Sequence, residues 1–170
     1  MRGAAWQGAL IYGAPAVKAL ALVMADDDFE TARAARRGLW VIVRHAGRPG
    51  SDREARAVAQ ELSALLVRHP LAVRREALWM LSEIGEDAAV APMAALLTDP
   101  ELRTPALGAL LRLPGNKVTA ALQSAWARAP EDFKFALADA LRKRGAKIAG
   151  YPSQKLVPTR ATTVAQPPAG

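Results

Sequence analysis

The side chains able to do chemistry are few and scattered. The two imidazoles are His45, followed by Ala46, and His69, followed by Pro70. Two isolated histidines in different parts of the chain do not make a metal site. Serines stand at 51, 63, 82, 124 and 153, none with a histidine and an aspartate to activate it. Ser51 reads better as a helix cap, with Glu54 at capping-box spacing. The absence of cysteine excludes a disulfide framework, a thiolate metal site and cysteine catalysis. No glycine-rich phosphate loop follows a strand, because no segment reads as a strand. The expectation is a protein that is not an enzyme, with no catalytic residue, no metal and no cofactor.

What does cluster is a set of arginines and tryptophans. On a helix at about 100° per residue, Arg33, Arg37, Trp40 and Arg44 fall within about 60° of one another. Ala35, Leu39, Ile42 and Ala46 occupy the opposite side, as an apolar stripe would. Two readings are open. In one, the tryptophans fill gaps between neighbouring helix pairs and the charges pair along a ridge. In the other, Trp6, Trp40 and Trp79 line an exposed groove that holds an extended peptide, while Arg33, Arg36, Arg37 and Arg44 meet its acidic groups. Tryptophan and arginine are the preferred anchors of binding hot spots.

These residues need a scaffold, and composition limits what it is. Of the 170 residues 51% are hydrophobic but only 5% aromatic. With alanine abundant, that balance favours helices packed through small side chains. The net charge of +7 is uneven. Residues 29–75 carry ten basic and four acidic side chains, residues 76–139 five and nine, and residues 140–170 six and none. A basic patch attracts nucleic acid or acidic partners, but the acidic middle segment would repel a duplex. No apolar run is long enough to span a membrane. Arg2 ahead of a weakly apolar stretch to Ala25 has the outline of an export signal. Lys18 and Pro15 interrupt it, so a cytoplasmic location is expected.

The chain repeats itself. Val73-Arg74 opens a unit that runs through Ala77-Leu78 and Ile84-Gly85 to Leu96-Leu97-Thr98-Asp99-Pro100, and Leu102-Arg103 opens the next, 29 residues on. Phe133-Lys134 opens a third after 31 residues. Looking back, Gly38-Leu39-Trp40 aligns with Ala77-Leu78-Trp79 at an offset of 39, and Trp6 aligns with Trp79 at 73. The expected helices are 3–11, 15–25, 29–46, 52–68, 71–84, 87–98, 101–113, 116–128 and 131–144, with a Pro- and Thr-rich irregular tail over 149–170. By the offsets, Trp40 corresponds to Trp6, Trp79, Gly108 and Asp139, Arg37 to Glu76, and Arg44 to Glu83 and Arg112. Neighbouring repeats are therefore expected to set Arg37 beside Glu76, and Arg44 beside Glu83 and then Arg112.

The Val/Leu-Arg openings, the Ala-Leu runs, the Ile84-Gly85 stop and the link ending at Pro100 resemble HEAT repeats, of the short HEAT-like type named after the phycobilisome lyases. The likeness covers residues 1–145 and is best at 71–113. It departs from the pattern at Ala34-Ala35 and is looser at Phe133-Lys134. It implies an all-α fold over residues 1–148, an α-solenoid winding as a right-handed superhelix of about four and a half helix pairs. Such a fold hosts scaffolds, enzymes and DNA-binding proteins alike. HEAT-like hydroxylases hold iron on His-Glu pairs, and this chain has none. HEAT-like DNA glycosylases hold DNA on a concave basic face with a catalytic acid, and no such acid stands among Arg33, Arg37 and Arg44. The expected function is protein binding by a scaffold, with nucleic-acid binding through 29–75 and the tail as the alternative. The first helix begins a turn late by comparison with 71–84. Leu10 and Ile11 are then expected to be partly exposed, a site for self-association through the N-terminal repeat.

Overall fold

A computed structural model of the chain describes residues 5–152, with side-chain surroundings from residue 8 onward. Apolar residues at helical spacing can leave water here only by packing helix on helix, and the described residues contain no strand. A 3-10 segment, Ala5–Tyr12, precedes α1 (Ala16–Val23), α2 (Phe29–Ala46), α3 (Asp52–Ala64), α4 (Leu71–Ile84), α5 (Asp87–Ala94), α6 (Arg103–Arg112), α7 (Asn116–Arg128) and α8 (Glu131–Lys143). The even-numbered helices pack side by side in the order α2, α4, α6, α8, and the odd-numbered in the order α1, α3, α5, α7. Each substantial contact joins elements no more than two steps apart along the chain. The result is a two-layer stack of sequential neighbours. One continuous core threads it, from Ala9 and Val17 through Leu39, Leu78 and Leu110 to Leu141.

Local chemistry sets the ends. Asp28 caps α2, its carboxylate accepting the Thr31 N–H at 2.7 Å. The Ser51 capping box does not form. Ser51 sits at φ −108°, ψ 28° and makes no side-chain cap bond, while Glu54 turns to Arg48 at 3.2 Å and to His45 at 3.8 Å. The helix expected at 3–11 is a 3-10 segment, and the one expected over 87–98 tightens into a 3-10 turn at Ala95–Thr98. Pro92, inside α5, removes one backbone bond and crowds the preceding turn. Helix α3 stops at Ala64 rather than at 68. The chain then swings Leu65 and Leu66 into the core, where the Leu66 carbonyl accepts Arg74 Nε at 2.9 Å. Arg74 also reaches Asp99 at 3.2 Å, and Arg103 pairs likewise with Asp132. The arginine that opens each of these units thus ties the start of the unit to its far end.

Glycine permits close approaches between elements at Gly38 and Gly47. A Cβ on Gly38 would stand 3.3 Å from the Cβ of Ala9, and one on Gly47 would stand 2.8 Å from Ile84 Cγ2. Gly38 lets the 3-10 segment lie on α2, and Gly47 lets the end of α2 meet the end of α4.

Residues 149–152 lie against the last helix pair. Tyr151 packs edge-on against Trp126 and Phe135, with centroids 4.9 and 5.1 Å away, and its hydroxyl donates to Glu131 at 2.5 Å. Arg142 holds the Gly150 carbonyl at 2.8 Å and also bonds that of Tyr151. The remainder of the expected tail, 153–170, lies outside the described residues.

Candidate partner-binding groove

The apolar stripe of α2 is buried as its spacing demands: Ala35, Gly38, Leu39, Ile42, Val43 and Ala46. Its opposite side therefore faces outward, beside the matching side of α4, which buries Val73, Ala77, Leu78, Met80, Leu81 and Ile84. Between the two helices runs an open groove of about 1440 Å³. Arg33, Arg36, Arg37, Trp40, Arg44 and Trp79 all line it, with Phe29, Glu76 and Glu83. Six of the seven residues singled out by sequence thus come together. Trp6 lies in the 3-10 segment, but its side chain falls outside the described residues, so its place in the ladder is undescribed.

Trp40 and Trp79 share a sequence register but not an environment. Trp40 is half-buried and packs against the core. Its indole N–H donates to Glu76 Oε1 at 2.5 Å, and Arg36 Nε donates to the same oxygen at 2.7 Å. The Arg44 guanidinium lies over the Trp40 ring, 5.5 Å from its centroid. A cation, an aromatic face, a carboxylate and a second cation follow one another across the groove floor, each satisfying its neighbour. The Glu76 side chain is only 15% exposed. Trp79 is 62% exposed, on a ridge between this groove and a smaller hollow of about 690 Å³ lined by Arg75, Pro100, Glu101 and Pro105. The two tryptophan readings therefore divide between the rungs. Trp40 fills the gap between helices, and Trp79 is presented to solvent. Farther along, the ladder loses its aromatic rungs. A Cβ on Gly108 would meet nothing within 4 Å, and Asp139 pairs with Lys143 at 2.8 Å.

The charges follow the expected register only in part. Arg36, not Arg37, takes Glu76, because the indole of Trp40 and the guanidinium of Arg36, one helical turn apart, reach it together. Arg44 stacks on Trp40 instead of pairing with Glu83. Glu83 is held by Arg112 at 2.8 Å, the neighbour that the offsets set beside it. Arg33 pairs with Glu30 at 3.2 Å. Among the described residues, Arg37 and Arg44 have no carboxylate partner. The groove therefore presents two uncommitted guanidiniums, and its two acids are already answered by arginines from neighbouring positions.

The remaining basic groups are largely occupied. Arg48 pairs with Glu54, Arg56 with Glu86, and Arg75 with Glu101. At the C-terminal end, Lys143 pairs with Asp139, and Arg144 bonds the Thr119 hydroxyl and the carbonyls of Leu113 and Gly115. The end of α8 is thus a set of internal staples rather than an open basic strip. Among the described residues, no group of three His, Asp or Glu side chains could hold a metal ion. No helix of the described residues is long and apolar enough to cross a membrane. Near the N-terminus, Ile11 is 82% exposed, with Tyr12 and Leu22 also exposed and Leu10 half-buried. Phe29, at the mouth of the groove, is exposed as well. No protein-family model and no curated protein sequence matches the chain.

Proposed function

We propose that the chain is a non-enzymatic α-solenoid of the HEAT type, a right-handed superhelix of about four and a half helix pairs, that binds another protein in the groove between α2 and α4. The two-layer order of sequential neighbours supports the solenoid reading, since repeat stacks bury their core only between adjacent units. The single observation that carries the binding reading is Trp79. A tryptophan left mostly in water beside unpaired arginines is what a hot spot looks like before its partner arrives. Nucleic-acid binding through 29–75 and the tail draws less support, because the arginines of that segment are mostly engaged with carboxylates, several from the acidic middle of the chain.

The test is site-specific photo-crosslinking in the native organism. A crosslinking amino acid replaces Trp79 in one strain and Gln60, exposed on α3, in another. Protein adducts formed at 79 but not at 60, and lost when Arg37→Glu is added, support the reading. Equal adducts at both positions, or adducts to nucleic acid alone, overturn it.

A further inference from the structure

Resting on the groove reading above, we infer that the occupant is an extended acidic segment whose two carboxylates stand three residues apart, held by Arg37 and Arg44 and packed against Trp79.

The spacing comes from α2. Arg37 and Arg44 are seven residues apart, which places them on one side of the helix, offset by about 20° and separated by about 10.5 Å along its axis. In a polyproline-type chain, residues i and i+3 return to the same side after about 9.3 Å. A β-strand with the same rise turns its third side chain to the opposite face, and the described residues offer no sheet edge for a strand to join. An acid-x-x-acid segment in the polyproline conformation therefore matches the spacing of the two arginine positions along α2.

The charge pattern fits the same occupant. Glu76 and Glu83 line the groove, and left alone they would repel an acidic chain. Each is neutralised in place, Glu76 by Arg36 and the Trp40 indole and Glu83 by Arg112. The positive charge left over belongs to Arg37 and Arg44, and guanidinium is the group best shaped for a carboxylate. Arg44 is held in place by its stacking on Trp40, so less freedom is lost when it takes a ligand. Trp79 and Phe29, both exposed on the groove, supply the aromatic wall against which proline-rich extended segments pack.

The experiment uses the full chain and short, fluorescently labelled synthetic peptides, read by fluorescence anisotropy. The peptides carry Glu-Pro-Glu, Glu-Pro-Pro-Glu and Glu-Pro-Pro-Pro-Glu centres. Matched versions carry Gln or Lys in place of Glu, and one helix-forming peptide carries its glutamates seven residues apart. The Glu-Pro-Pro-Glu peptide is expected to bind most tightly. Each Glu→Gln change in it should weaken binding roughly fivefold. Binding should fade as salt shortens the screening length to about 3 Å. The Arg37→Glu/Arg44→Glu chain should reverse the preference and take the Lys peptide, a gain that misfolding would not produce. Three outcomes overturn the inference while leaving the groove reading in place: Trp79-dependent binding that ignores the spacing, that prefers the neutral or basic peptide in the unaltered chain, or that prefers the helical one. Binding of no peptide and no protein adduct at position 79, with or without retention of duplex DNA, overturns both.

Discussion

Trp40 and Glu76 meet across the seam between α2 and α4, the indole N–H donating to Glu76 Oε1 at 2.5 Å. The same oxygen accepts Arg36, so one carboxylate satisfies a half-buried indole and a guanidinium together. Removing it strands the indole. Glu76→Ala is expected to lower stability by about 1–3 kcal/mol, the cost of an unsatisfied, partly buried donor and a lost charged acceptor. Glu76→Gln keeps an acceptor and should lose less. Urea unfolding of the two variants checks the order, and equal midpoints for both and for the parent would refute it.

The two tryptophans of the groove should separate in the same assay. Trp40→Ala is expected to cost about 2 kcal/mol or more, because it removes core packing and leaves Glu76 with one partner fewer. Trp79→Ala should change stability by no more than about 0.5 kcal/mol, as exposed positions usually do. Partner capture should follow the reverse order for Trp79, lost while the fold stays intact. A Trp79→Ala chain as destabilised as Trp40→Ala would return Trp79 to the packing role.

Gly47→Ala is expected to destabilise by about 1–3 kcal/mol through overpacking against Ile84 Cγ2, since the added carbon would stand 2.8 Å from it. Leucine carries no branch at Cβ. An Ile84→Leu background should therefore absorb part of the penalty, and a double-mutant cycle measures the coupling. Additive effects would show that the penalty does not arise at Ile84 Cγ2.

The contacts of Tyr151 have a pH signature. Hydrogen bonds from Tyr151 and Lys134 hold the Glu131 carboxyl below its ordinary range, and Arg103 does the same for Asp132. Asp28 is lowered by its bonds from Thr31. For each, the stabilisation is present above the unfolded-state pKa and is lost as pH falls through the lower folded value. The Glu131→Gln/Asp132→Asn chain should therefore show a flatter acid limb in unfolding midpoint against pH. The bond to Glu131 raises Tyr151, and Lys134 is raised by the same carboxylate. Their contributions are present below the unfolded values and are lost as pH rises through the folded ones. Tyr151→Phe should flatten the alkaline limb only in part, because Lys134 remains. Tyr151→Ala should lower the unfolding midpoint further than Tyr151→Phe, since it also removes the ring contacts with Trp126 and Phe135.

Much of the helix plan was legible in the sequence. Residues 29–46 and 71–84 are helical over the expected spans, and the stripe Ala35, Leu39, Ile42, Ala46 is buried, because an apolar face at helical period has one way to leave water. The failures are local and have causes. Ser51 and Glu54 have capping-box spacing, but Glu54 found Arg48 and His45 across the turn. Tyr151 falls in the expected irregular stretch, and the apolar surface of Trp126 and Phe135 gives it a place to pack. Arg142 and Arg144 belong to the basic run over 140–170, and their long side chains cap backbone carbonyls.

By itself the sequence determined that helices would form, that the stripe Ala35, Leu39, Ile42 and Ala46 would be buried, and that Trp40 and Trp79 share a sequence register among arginines. Tertiary structure decided what those equivalent positions mean. Repeat offsets place residues on the same rung, but they carry no information about the stagger of α2 against α4. That stagger comes from how the side chains of the two helices interlock. It gave Glu76 to Arg36 rather than Arg37, residues separated by about 100° around one helix. It also tucked the Trp40 indole into the seam and left Trp79, at the same register one unit later, mostly in water.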